Sequence, residues 1–373
     1  MTDLSLLGWT ADREAGLLAG CVPGRVARVD RGRLTVLTAG GELRAHPAAA
    51  LLGGPGPAVG DWVALRGELA VAVLPRRTAF TRVVAGRTSA EQVVAANLDV
   101  VLVVDALTTA PRLRRVERYL AVAWGSGATP VVVLTKADLC DDVPAALQAV
   151  AEDAVGVDVL PVSSVTGEGL DAVRALLGPG RTAAMVGPSG VGKSSLANAL
   201  AGTAVAATRG IREADGRGRH TTTARELHAL PGGGLLVDTP GMRELGLVDD
   251  AGIDTAYGDV TELAAQCRFR DCAHRTEPGC AVAVAIDEGR LDPARYTAWR
   301  KLQAEAHRQA LRSDARARAA ENARVRALHR SHRSQPNRGR TTLPPWKDPP
   351  ASHHSQARGG PLQGGRSGLG AGP

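Results

Sequence analysis

The sequence predicts a multidomain chain with a small N-terminal β-barrel, a central α/β domain on a parallel sheet, and a mainly α metal-binding segment after it. Three observations carry this reading. Residues 24–82 are short apolar or alternating runs separated by Gly and Pro clusters. Residues 89–248 alternate apolar strand-like runs with stretches of helical periodicity. Cys267, Cys272, His274 and Cys280 then fall within 14 residues, ahead of an Ala/Arg/Glu-rich stretch.

Composition sets outer bounds. At roughly 100–200 residues per domain, 373 residues allow two or three domains. Hydrophobic residues at 44% and charged residues at 22% describe an ordinary globular protein. Aromatics make up only 3%, so small aliphatic side chains must fill the core. No apolar run reaches about 18 residues, so no transmembrane helix and no membrane partner are expected. The start, MTDLSLLGWTADRE, has no basic stretch before its apolar residues, so we expect no secretory signal and a cytoplasmic location. Five cysteines exclude a disulfide scaffold, and the three clustered ones point to metal in a reducing compartment. Cys21 and Cys140 read as buried small hydrophobes.

The first element group is the barrel. GRVARVD, RLTVLT, GELRAH, DWVAL and LAVAVLP give five strands in about 60 residues, as an OB-fold does. In the central domain, LDVVLVVDA (98–106) and PVVVLT (130–135) are near-continuous apolar runs, as parallel strands covered on both faces should be. Between them, PRLRRVERYLAVAW (111–124) opens on Pro and repeats apolar residues at helical spacing. A helix near 143–154, a strand VDVLPVS, a helix near 169–177 and a strand TAAMVG continue the βαβ series.

The chemistry sits between these elements. Gly187, Pro188, Ser189, Gly190, Val191, Gly192, Lys193 and Ser194 spell G-x-x-x-x-G-K-[ST], with Ser195 next, between an apolar strand and a helix. Such a loop turns backbone N–H groups onto phosphate oxygens, and the helix N-terminus adds its dipole. Lys193 would reach the β- and γ-phosphates and Ser194 would ligate Mg²⁺. Asp238-Thr-Pro-Gly241 follows another apolar strand; Asp238 would hold Mg²⁺ and the Gly241 N–H would sense the γ-phosphate. Thr135, Lys136, Ala137 and Asp138 form T-K-x-D after a third strand. A carboxylate at Asp138 can accept from both N1–H and N2–H₂ of guanine, a donor pair that adenine lacks. Ser163 and Ser164 fall where a second base-contacting loop belongs. Together the motifs specify a guanine nucleotide, GTP or GDP, with Mg²⁺.

Their order is unusual. The base motif precedes the phosphate loop and Asp238 comes last, which is a circular permutation of a P-loop GTPase domain. Residues 208–223, TRGIREADGRGRHTTT, occupy the switch I position, where one Thr of 221–223, taken as Thr222, would ligate Mg²⁺ with GTP bound. Met242 follows Gly241 and cannot orient water, so slow intrinsic hydrolysis is expected. His220 is one candidate to supply that function; a solvated switch histidine is the other reading of it.

Cys267-x₄-Cys272-x-His274-x₅-Cys280 offers three thiolates and one imidazole, a closed tetrahedral set for one structural Zn²⁺. Residues 301–373 carry 14 Lys+Arg against 4 Asp+Glu, +10, while the first 300 residues carry −3. That asymmetry fits either a nucleic-acid partner or a solvated helix with an unfolded tail. Of four lysines against 41 arginines, Lys136 and Lys193 fall inside the base and phosphate motifs.

The permuted order, GPSGVGKSSLAN, GRGRHTTT, DTPGMRELGL and CRFRDCAHRTEPGCAV together resemble the ribosome small-subunit-dependent GTPase A family, circularly permuted bacterial GTPases. The resemblance runs from about residue 20 to 305. It implies an OB-fold barrel over 1–88, the permuted GTPase domain over 89–248 and a zinc-binding domain with a C-terminal helix over 249–330. A basic tail at 331–373 has no counterpart in the family. It implies a monomer that binds the 30S subunit through 16S rRNA and nearby proteins, assists late maturation and hydrolyses GTP with stimulation by the subunit. Thr135, Lys136 and Asp138 would bind guanine, Gly187 to Ser195 phosphates, and Cys267, Cys272, His274 and Cys280 zinc. A nucleotide-gated RNA-binding module with little hydrolysis is the alternative, kept open by Met242; an ATP-using P-loop kinase is disfavoured by the base motif.

Overall fold

In a computed structural model of the chain, the described residues are 2–83, 91–108, 112–205, 225–238, 251–275, 277–313 and 319. A single helical turn, α1 (Ala11–Glu14), precedes the barrel. Strands β1 (Val22–Asp30), β2 (Arg33–Thr38), β3 (Gly41–Pro47), β4 (Trp62–Arg66) and β5 (Leu69–Val73) fall on the five expected runs. They pair in the order β1-β2-β3-β5-β4, and β4 pairs back onto β1, closing a five-stranded barrel. Its interior is Val26, Leu34, Val36, Ala45, Val63, Leu65 and Ala70, aliphatic throughout as the scarcity of aromatics requires. Next, β6 (Ala79–Val83) and β7 (Glu91–Ala96) form a separate antiparallel ribbon that the sequence did not announce. The expected domain boundary at 88/89 lies outside the described residues.

The central domain runs β8 (Val100–Ala106), α2 (Leu113–Gly125), β9 (Thr129–Thr135), α3 (Val143–Asp153), β10 (Val159–Val162), α4 (Leu170–Leu176), β11 (Thr182–Val186), α5 (Lys193–Ala201), β12 (Glu226–Ala229) and β13 (Leu235–Asp238). Strands β10-β9-β8-β11-β13 are parallel in that order, and β12 lies antiparallel on β13. The other edge of β12 meets β1, with Arg28 opposite Glu226. Barrel and central sheet are therefore one hydrogen-bonded surface of 11 strands.

Alternate residues of the parallel strands feed two cores, as the two-residue repeat of a strand demands. Val100, Leu102, Val104, Ala183 and Met185 pack with Leu170 and Val173 of α4 and Leu196 and Leu200 of α5. Val101, Val103, Val132, Leu134, Ala184 and Val186 share a core with α2 and with the C-terminal helices. These are α6 (Ala251–Ala256), α7 (Gly258–Ala265), α8 (Ala281–Asp287) and α9 (Pro293–Ser313). Helix α6 lies directly on α2: a Cβ at Gly252 would stand 2.0 Å from the Ala121 carbonyl oxygen, so only glycine permits this approach. Cys21 and Cys140 are half-buried against this core rather than inside it.

A buried ionic network fastens the same contact. The Glu117 carboxylate of α2 accepts from the guanidinium of Arg295 on α9 and from the Tyr257 hydroxyl at 3.0 Å. Arg295 also holds Asp259 through Nε at 2.8 Å and Nη2 at 2.7 Å, and lies over the Tyr257 ring. Burial raises the Glu117 carboxyl above its ordinary value, and the guanidiniums of Arg114 and Arg295 oppose that shift. Nearer the surface, Arg118 grips Glu305 bidentately at 2.6 and 2.7 Å. Among the described residues no helix is long and apolar enough to cross a membrane.

Candidate functional site

The base and phosphate motifs meet at the carboxyl ends of the parallel strands, where open α/β sheets present their ligand crevice. Thr135 closes β9, Ser163 follows β10, Gly187 follows β11 and Asp238 closes β13. Of Asp238 the described part is its backbone, paired opposite Glu226. His220, Thr222, Gly241 and Met242, with the rest of the expected switch I, lie outside the described residues.

The phosphate loop is built as its glycines predict. Gly187 sits at φ 145°, Gly190 at 82° and Gly192 at 96°, and Gly192 caps α5. A side chain at Gly187 would also collide with the Val104 carbonyl oxygen at 2.1 Å, because the loop leaves β11 hard against β8. Lys193, the first residue of α5, folds back over the loop and donates through Nζ to the carbonyls of Gly187 at 2.8 Å and Pro188 at 2.5 Å. Ser194 is partly accessible, and Ser189 and Ser195 are exposed.

The base motif is docked onto that loop. The buried Thr135 hydroxyl lies against the carbonyls of Val191 and, at 3.1 Å, Asp105, and can donate to one at a time. Its oxygen is spent inside the assembly and fixes the end of β9 to the phosphate loop. Lys136 adopts left-handed φ 59° and donates to the Gly190 carbonyl at 3.2 Å. Ala137 is buried beneath the turn, whereas the Asp138 carboxylate stands exposed with no hydrogen bond among the described residues. Ser163 is fully buried, and its Oγ accepts from the N–H groups of Val165 at 3.2 Å and Thr166 at 3.1 Å. It therefore shapes its loop, leaving Ser164 on the open side. Sequence reasoning missed Asp105, the penultimate residue of β8, whose carbonyl faces the Thr135 hydroxyl. Its carboxylate takes two bonds from Arg115 at 2.8 and 2.9 Å, and the signal was a charged residue ending an apolar run.

The four expected metal ligands converge: one ligand atom each from Cys267, Cys272, His274 and Cys280 lie within 4.8 Å of one another. The Cys267–Cys280 Sγ separation is 3.9 Å, and His274 Nδ1 lies 3.4 and 3.6 Å from those two sulfurs. A tetrahedral ion with bonds of ~2.3 Å to sulfur and ~2.0 Å to nitrogen sets edges of roughly 3.8 and 3.5 Å. Cys267, His274 and Cys280 thus stand at the spacing a zinc-type ion requires, and Cys272 lies close enough to complete the set with a small side-chain adjustment. His274 is turned inward by a left-handed φ of 54°, and its carbonyl accepts from the Tyr296 hydroxyl of α9 at 2.9 Å. Cys280 caps α8, accepting from the Ala283 N–H at 3.4 Å. The cluster therefore ties the loop 267–280 to two helices.

A family model described as "RsgA GTPase" matches residues 73–248. A protein of Streptomyces coelicolor named small ribosomal subunit biogenesis GTPase RsgA is 50% identical over 331 residues, covering 85% of this chain and 90% of that protein. Its namesake in Opitutus terrae is 43% identical, covering 89% and 97%. Among solved structures, YjeQ from Thermotoga maritima aligns with a TM-score of 0.58 at 26% identity, covering 77% of this chain and 98% of its own. YloQ, titled a circularly permuted GTPase, aligns with a TM-score of 0.56 at 23% identity, covering 77% and 96%, a likeness of fold.

Proposed function

Because the chain belongs to the RsgA GTPase family, we propose that this GTP hydrolase serves the biogenesis of the small ribosomal subunit. In this reading it binds the 30S particle, assists a late maturation step and hydrolyses GTP to GDP and phosphate with stimulation by the particle, acting in the cytoplasm as a monomer. The observation that supports it most is the docking of the base motif onto the phosphate loop through Thr135 and Lys136. That contact sets a guanine reader and a triphosphate cradle side by side on one sheet edge. The binding-module alternative is not favoured: the relatives it would have to resemble are named GTPases.

The roles follow from position. The backbone N–H groups of 187–195, Pro188 excepted, and the α5 dipole receive the phosphates, Lys193 neutralises charge building on the β- and γ-oxygens, and Asp138 accepts from guanine. The Lys136 stem covers the base, while Thr135 and Ser163 hold the two base loops in shape. Ser194, Asp238 and Thr222 would hold Mg²⁺, which would supply charge neutralisation at the phosphates. His220 is assigned the placing of water in the absence of a Gln at 242. Cys267, Cys272, His274 and Cys280 would hold Zn²⁺ in a structural role, since four protein ligands leave no open position. The basic C-terminal region is assigned to rRNA phosphates of 16S rRNA.

Turnover of GTP measured with and without purified 30S subunits tests the whole reading; rates equal in the two samples overturn it. Base selection is tested by Asp138→Asn, which exchanges an acceptor oxygen for a donor. GTP affinity should fall roughly 10–150-fold, the value of one charge-assisted bond. Unchanged affinity removes Asp138 from the base site. The metal is tested by elemental analysis: one zinc per chain is expected, and Cys272→Ser should lose the zinc and make 267–280 protease-sensitive. A zinc-free preparation with 267–280 protected from protease would contradict the assignment.

A further inference from the structure

A cleft of about 350 Å³ opens at the seam between the N-terminal segment, the barrel and the central sheet. It lies at the amino ends of β8 and β11, whereas the phosphate loop leaves their carboxyl ends. Seven residues of β8 at ~3.3 Å each hold the two places about 20 Å apart. Whatever enters this cleft is not the nucleotide on the phosphate loop.

Its lining is strongly one-signed. Arg13, Arg25, Arg77 and Arg181 face it, against a single carboxylate, Asp99. Two of these guanidiniums are nine-tenths buried or more: Arg25 at 1% exposure and Arg13 at 8%. Arg25 donates only to neutral acceptors, the carbonyls of Leu7 at 2.9 Å and Asn97 at 3.0 Å and Thr182 Oγ1 at 3.1 Å. Arg13 donates through Nη2 to Asn97 Oδ1 at 3.1 Å. The Nε of each is buried without a partner. Among the described residues Arg77 is the one of the four in a close ion pair, with Asp12, while Asp99 attracts Arg13 and Arg25 from farther off and the Arg25 guanidinium lies 5.3 Å over the Trp62 ring. Buried guanidiniums with no anion in direct hydrogen-bond contact are costly, and a guanidinium is most stable bonded to a phosphate or carboxylate. The half-buried Trp9 also lines the cleft, its indole edge-on to Trp62 at 4.7 Å and its Nε1 donating to Glu14 at 3.3 Å, so an aromatic ring stands beside the cationic pocket. A phosphate next to a planar ring is the signature of a nucleotide.

We propose that this seam cleft is a second, phosphate-directed site, which takes the phosphate of a nucleotide among Arg13, Arg25 and Arg181 and stacks its base on Trp9. The phosphate belongs either to a free mononucleotide or to a residue of an RNA chain. In both cases the ligand bridges the barrel, through Arg25, and the central sheet, through Arg181. The site is independent of the guanine-binding reading above.

The test uses the full chain and adenine ligands, since adenine lacks the donor pair that Asp138 would read. Calorimetric titration with AMP, with a hydroxyl-ended oligoadenylate and with adenosine separates the sources. Saturable binding of AMP, of the oligonucleotide or of both is expected, with adenosine far weaker. Arg181 is exposed, so Arg181→Gln removes charge without disturbing packing and should weaken binding at least about tenfold. Arg13→Gln should weaken it further, with zinc content and GTP affinity as checks that the protein is folded. Binding by the oligonucleotide alone assigns the site to RNA, and binding by AMP alone to a free nucleotide. The proposal is overturned by absence of saturable binding for both phosphorylated ligands, by adenosine binding as tightly as AMP, or by affinity unchanged in Arg181→Gln.

Discussion

Lys193→Ala is expected to lower GTP turnover by at least 10²–10³-fold, the usual cost of removing one preorganised charge-stabilising donor. The ammonium sits inside the loop, 2.8 Å from the Gly187 carbonyl and 2.5 Å from that of Pro188. It therefore exchanges two backbone acceptors for phosphate oxygens without travelling far, and its charge is matched to the negative charge gathering on the leaving phosphates. Lys193→Arg should not rescue the rate, because a planar fork does not fit where a compact ammonium sits between two carbonyls. Steady-state kinetics with and without 30S particles make the measurement, with zinc content confirming an intact fold. Turnover within threefold of the wild type would falsify the assignment of Lys193.

The second large effect concerns stability. Glu117→Ala should cost about 3–5 kcal/mol, because it removes the acceptor of the Tyr257 hydroxyl in the interface between α2 and the C-terminal helices and leaves the buried Arg295 with Asp259 as its one carboxylate partner among the described residues. Total stabilities are only about 5–15 kcal/mol, so this is a large share, and the melting temperature should drop by roughly 10 °C. Arg295 keeps its paired bonds to Asp259, so local docking of α9 on α7 should survive. Glu117→Gln, which keeps shape and a hydrogen bond to Tyr257, should lose less. Thermal unfolding of the three proteins decides it; indistinguishable melting curves would mean that the network contributes no stability.

The sequence was most readable where structure is local. The five barrel strands announced themselves through two-residue alternation between turns, and β8, β9 and β11 through apolar runs that need cover on both faces. The phosphate loop was legible because glycine at 187, 190 and 192 answers a backbone demand that few other residues can meet. What escaped was non-local. Strand β12 is four residues long, antiparallel, and takes its identity from β1 and β13, neither adjacent to it in pattern. The ribbon β6–β7 joins residues on either side of an expected domain boundary. Glu117, Tyr257 and Arg295 are 140 and 178 positions apart, and each reads alone as an ordinary surface residue of an amphipathic helix. Thr135 and Ser163 were found, but their hydroxyls turn out to brace the loops from within.

The narrow seam where β1 meets β12 turns the barrel into a lever. Glu226 faces Arg28 of the barrel on one edge and Asp238 on the other, so a three-strand ladder runs from the barrel wall to the expected Mg²⁺ residue. Strand pairing cannot slide by one residue without turning every side chain of the slipping strand to the opposite face, and Leu227 is held in the core. A tilt imposed on the barrel from outside must then either unzip the Arg28–Glu226 step or pull β12 with it. Because β12 is paired directly to β13, a load on the barrel surface has a route to the end of β13 through one strand of four residues, beside the Arg25–Thr182 bond that leads from the barrel to β11.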